Sequence, residues 1–112
     1  MKMIYISHPY TGDEKNNMQD ARQIARQLAK ATNGQVLFIN PLDTFSHCTG
    51  VLDYMPILEQ CIELLERCDG VIFCKGWEQS RGCQEEMDAS LNSKIPRWYS
   101  PSEFLDHYEQ EA

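Results

Sequence analysis

DGVIFCKGWEQSRGCQEEMDAS, residues 69–90, decides the fold. It begins with a short apolar run, residues 69–74, which reads as a buried strand. A polar loop containing Gly76 follows, and then an amphipathic helix over roughly residues 80–93. A strand feeding directly into a helix is one half of a crossover unit.

The same unit recurs on both sides. Residues 2–7, KMIYIS, read as a first strand that stops at His8-Pro9. Met18, Ala21, Ala25 and Leu28, with Ile24 beside them, recur at helical spacing, so residues 17–32 read as a helix closed by Asn33-Gly34. Residues 35–39 read as a second strand closed by Asn40-Pro41, and residues 42–52 as a loop. Asp53 reads as the N-cap of a helix with Pro56 in its first turn. Tyr54, Ile57, Leu58, Cys61, Leu65 and Cys68 trace one face of that helix, which ends near Arg67. Residues 94–99 read as a fourth strand and residues 100–110 as a final helix. Strict alternation of strand and helix predicts one α/β domain over residues 1–112, with a parallel sheet of four to five strands covered by helices on both faces. Ligands of such sheets sit beyond the carboxyl ends of the strands, here Ser7-His8, Asn40-Pro41, Cys74-Lys75 and Tyr99.

Composition narrows the function. Ten Lys and Arg against seventeen Asp and Glu leave a net charge of −7, which argues against a nucleic-acid polymer as partner. One small phosphorylated ligand held by a local site is still compatible. The five cysteines form no C-x-x-C pair and the three histidines complete no zinc pattern, so reduced core thiols and no metal or cofactor are expected. The amino terminus lacks a cleavable signal and no run reaches the length of a membrane span. A cytoplasmic protein with no membrane partner is the expectation.

Glu86 is the residue that does not fit a simple core helix. With about 100° per residue and Cys83 as origin, Met87, Ser90 and Leu91 form the inward stripe, and Glu86 falls about 60° to its flank. Helical side chains lean back toward the amino terminus, which aims Glu86 at the preceding loop and the strand ends. One reading is a flank acid that reaches solvent or a basic neighbour; the other is a functional carboxylate. Ser80 can cap this helix, and the amides of Arg81, Gly82 and Cys83 then make an anion site. Arg81 adds a fixed positive charge and Gly82 admits a ligand close to the backbone. From Ser80 to Glu86 the helix rises about 9 Å, a span that suits a sugar phosphate with its anomeric carbon near the acid. Simple capping by Ser80 is the plainer alternative.

Together, YISHPY in the first strand, NP after the second, and CDGVIFCKGWEQSRGCQEEMDAS resemble the nucleoside 2-deoxyribosyltransferase-like superfamily, over roughly residues 3–98. The nearest likeness is to its small branch from bacteria and phages, near the nucleoside monophosphate N-glycosidases. The G-W-x-x-S-x-G-x-x-x-E arrangement is met by Gly76, Trp77, Ser80, Gly82 and Glu86. The resemblance implies a Rossmann-like fold and cleavage of an N-glycosidic bond, with Glu86 as nucleophile. It implies that Ser80 contacts a 5′-phosphate, that Asp69 helps to order the site, and that the chain forms a homodimer or larger homo-oligomer around a small-molecule nucleotide or nucleoside. The first loop lacks the glycine- and arginine-rich form of the best-known nucleotide hydrolases, and Cys83 and Gln84 replace small residues.

The expected catalytic set is therefore Glu86, Asp69 and Tyr5, the last orienting the acid from the first strand. The expected substrate contacts are Ser7, His8, Asn40, Trp77 (stacked on the base), Ser80, Arg81 and Gly82. The helix start and nearby donors are expected to keep Glu86 charged. Plainer roles stand beside these: a core tyrosine for Tyr5, a packing residue for Trp77, a turn residue for Asn40. The rival functions are a nucleotide-binding module without turnover and an NAD glycohydrolase.

Overall fold

A computed structural model describes residues 1–111. The strands are β1 (Met3–Ser7), β2 (Leu37–Ile39), β3 (Gly70–Phe73) and β4 (Arg97–Trp98). The helices are α1 (Glu14–Ala31), α2 (Pro41–Thr44), α3 (Tyr54–Leu65), α4 (Arg81–Ser93) and α5 (Pro101–Glu111). The four strands form one wholly parallel sheet in the order β2-β1-β3-β4, a Rossmann-like arrangement.

Side-chain alternation on the central strands builds two cores. Ile4, Ile6 and Ile72 point to one face, where they meet Leu28 of α1 and Phe104 of α5. Tyr5, Val71 and Phe73 point to the other, against Leu65 of α3 and Met87 of α4. Helices thus cover both faces, as the alternation of elements predicts. Because successive residues of a strand face opposite ways, Tyr5 and Ser7 share the α3/α4 side. The strand order reverses between β1 and β3, whose pairing runs from Ile4↔Gly70 to Ser7↔Phe73. The crevice at their carboxyl ends is the switch point where such sheets bind ligands.

Several boundaries differ from the sequence reading, each for a local reason. Residues 42–52 are not simply a loop: Asn40 Oδ1 accepts from Leu42 N–H at 3.2 Å, Pro41 stands at the first helical position, and α2 forms. A 3₁₀ turn, Ser46–Cys48, follows it. The second strand is shorter because Gln35 N–H is still bonded to Thr32 O. The fourth begins late because Lys94, at φ 58°, closes α4 in a left-handed conformation. On α4 the buried residues are Cys83, Glu86 and Ser90, while Leu91 is half exposed. The inward arc is rotated toward the acid and away from Leu91. All five thiols are free, and four of them are buried. No described helix is long and apolar enough to cross a membrane.

Candidate active site

Glu86 is 6% exposed, and both of its oxygens are held from β1. The Tyr5 hydroxyl donates to Oε2, and Ser7 Oγ donates to Oε1 at 2.7 Å. Two donors two residues apart on one strand meet one carboxylate because they share a face of the pleat. Burial pushes the Glu86 carboxyl up to about 7, and the bonds from Tyr5 and Ser7 pull it only part of the way back. The nearby donors act in the expected direction, favouring the charged form, but desolvation outweighs them; Glu86 lies beyond the first turn, where the dipole is strongest. Burial, and then the charge of Glu86, raise Tyr5 well above the usual phenol range, so it remains a donor. The thiols of Cys61 and Cys83, which face the same cavity, are pushed up to about 12 and about 11, chiefly by burial.

Glu86 opens on a cavity of about 150 Å³ with an apolar wall that includes Leu42, Phe45, Ile57 and Leu58. A wider cavity of about 690 Å³ lies over the start of α4 and is lined by Lys75, Gln79 and Arg81. The two share Thr11, Tyr54, Ser80 and Gly82, so they adjoin. Ser80 Oγ accepts from Cys83 N–H at 3.3 Å, which confirms the cap. That bond uses the Cys83 amide and leaves those of Arg81 and Gly82 for a ligand. A Cβ on Gly82 would meet only the Tyr54 hydroxyl, at 3.4 Å, so the space left by the missing side chain belongs to the cavities. Arg81 lies over the Tyr54 ring, 5.7 Å from its centroid. Lys75 and Arg81 make this a basic spot on an acidic chain.

A family model described as Domain of unknown function (DUF4406) matches residues 2–97. The chain belongs to the DUF4406 family. The match runs from β1 into β4, so the DUF4406 region carries Glu86, its two donors and both cavities, and leaves out α5. Comparison with curated proteins gives no match.

Of the residues expected to form the site, this DUF4406 fold brings His8, Ser80, Arg81, Gly82 and Glu86 to the cavities, with Tyr5 and Ser7 directly behind the acid. Four of the expected site residues are engaged elsewhere. Ser7 is fully buried and spends its hydroxyl on Glu86, so it orients the acid. Asp69 lies at the amino end of β3, where its Oδ2 accepts from Met3 N–H at 2.8 Å and its own N–H donates to Met3 O. It joins β1 to β3 at the edge opposite the site, about 13 Å along a strand from Ser7. Trp77 lines neither cavity; its ring packs against Phe73 and Tyr99, at centroid distances of 5.4 and 6.0 Å, and those two rings also stack on each other. Asn40 caps α2 and bonds Asp43 at 3.2 Å. Sequence reasoning missed Tyr54, which reads as one more apolar position on its helix, and Lys75, which a closer look at the strand end would have found. It also missed Tyr10 and Thr11 of the first loop, which line the Glu86 cavity.

Proposed function

We propose that this chain cleaves the N-glycosidic bond of a nucleoside or deoxynucleoside 5′-monophosphate, with Glu86 as the nucleophile. The supporting observation is a buried carboxylate, oriented by two hydroxyls, in a cavity that adjoins a basic helix start. The sequence likeness to nucleoside 2-deoxyribosyltransferase-like proteins supports the same role. In this reading the phosphate takes the Arg81 and Gly82 amides with the Arg81 and Lys75 side chains, and the sugar reaches back to Glu86. A Glu86 oxygen attacks C1′ through an oxocarbenium-like transition state, and the base departs with the electrons of the broken C–N bond. Water then releases the sugar phosphate, or a second base accepts the sugar. Tyr5 and Ser7 hold the attacking carboxylate in one orientation. A homo-oligomer in the cytoplasm belongs to the same reading.

The test is base release, followed by chromatography, from a panel of ribo- and deoxyribonucleoside monophosphates with NAD included. It is run at pH 8, because a carboxyl pushed up to about 7 is mostly ionised there. Release by wild type and none by Glu86→Ala is the expected result. A second reading, a nucleotide-binding module without turnover, is favoured by the engagement of both Glu86 oxygens and by its raised pKa. A nucleotide that raises the melting temperature while no base is released from any substrate decides for that module.

A further inference from the structure

His8 is 7% exposed and lines the Glu86 cavity, yet both of its ring nitrogens are directed elsewhere. Nδ1 lies 2.7 Å from the Pro9 carbonyl oxygen, and Nε2 lies 2.6 Å from Asp20 Oδ2. A carbonyl oxygen and a carboxylate oxygen only accept hydrogen bonds. A neutral imidazole has one N–H, so in either tautomer one of these contacts would set a lone pair against an oxygen. Only the doubly protonated ring satisfies both.

Asp20 comes from α1, and its side chain is 64% exposed. Three residues earlier on the same helix, Asn17 Nδ2 donates to the Tyr10 carbonyl at 2.9 Å. Two α1 side chains thus fasten alternate residues of one loop, residues 8–13. That loop supplies His8, Tyr10 and Thr11 to the first cavity, and Pro9 and Thr11 to the second. We propose that His8 and Asp20 form an imidazolium–carboxylate clamp that positions this loop as the roof of the site, and that His8 does not deliver a proton to the leaving base. With both N–H groups committed, the ring offers a ligand only its carbon edge and faces. The proton for a departing base then comes from water or a hydroxyl. Asp20 is a positioning residue, acting on the cavity only through His8. The kinetic part of this proposal rests on the glycosidase reading, while the protonation of the ring does not.

The two parts are tested separately. Long-range ¹⁵N–¹H correlation at pH 7 reads the three histidine rings, with His8 assigned by its loss in His8→Gln. Both His8 nitrogens are expected in the protonated range for wild type and Asp20→Glu, and one should move to the unprotonated range in Asp20→Asn. A neutral, single-tautomer ring in wild type overturns the clamp. In the base-release assay, Asp20→Asn is expected to raise KM on the order of tenfold with kcat little changed, and Asp20→Glu to restore KM. A fall in kcat of about 10² or more for His8→Gln at unchanged KM is the mark of a proton donor, and it overturns the assignment. Two protonated nitrogens without any base release support the clamp and count only against the glycosidase reading.

Discussion

Replacing Glu86 by Gln should stabilise the protein, and by an amount that depends on pH. The folded carboxyl is pushed from 4.5 up to about 7 by burial. The folded state therefore keeps a proton that the unfolded chain gives up over this interval, and stability falls as pH rises from about 4.5 to about 7. Some 2.5 pKa units at 1.36 kcal/mol each amount to about 3 kcal/mol lost by pH 8. Gln is neutral throughout, and its amide can satisfy both partners: the carbonyl accepts from one hydroxyl, and the NH₂ donates to the other after that hydroxyl turns. Wild type and Glu86→Gln should accordingly be similar at pH 5, whereas at pH 8 the variant should be more stable by up to about 3 kcal/mol, or on the order of 10 °C in Tm. Urea titrations of both proteins at pH 5, 6, 7 and 8 measure the difference directly. A difference that stays constant across this range, or that shifts in favour of wild type as pH rises, refutes the argument that desolvation dominates the carboxylate.

Ser80→Ala removes the acceptor for Cys83 N–H and should cost about 1 kcal/mol in denaturant titrations. Calorimetry should show it weakening a nucleoside monophosphate more than the matching nucleoside, and equal losses would remove the phosphate from the start of α4. Asp69→Asn leaves the site untouched and weakens the bond to Met3 N–H, so base release should be unchanged while stability falls by about 1 kcal/mol. A large loss of turnover without loss of stability would return Asp69 to the catalytic set.

The sheet was legible because each central strand is a short apolar run bounded by turn residues, and each helix repeats its apolar positions every three or four residues. Glu86 was legible in part: the helical wheel sets it on the flank of the apolar stripe, and the structure carries it inside the buried arc. The centre of that arc was harder to place, since Leu91 is as apolar as Met87 and only the packing of α4 on α3 turns it outward. Asp69 was singled out by the resemblance alone, and the topology sets it at the head of a parallel strand, away from the carboxyl ends. Trp77 depended on Tyr99, a partner more than twenty residues away, and no local pattern announces such a contact. α2 was hidden because Asn40-Pro41 serves equally as a strand stop and as a helix start.

The two hydroxyls on Glu86 alternate along β1 with Ile4 and Ile6, which belong to the opposite core. Sliding β1 by a single position against β3 would offer the acid two isoleucines and bury a tyrosine among the aliphatic side chains of α1. Inserting or deleting one residue between Met3 and Ser7 therefore disarms the carboxylate and spoils both hydrophobic layers in the same stroke. The one register that packs both layers is therefore also the one that presents two hydroxyls to Glu86.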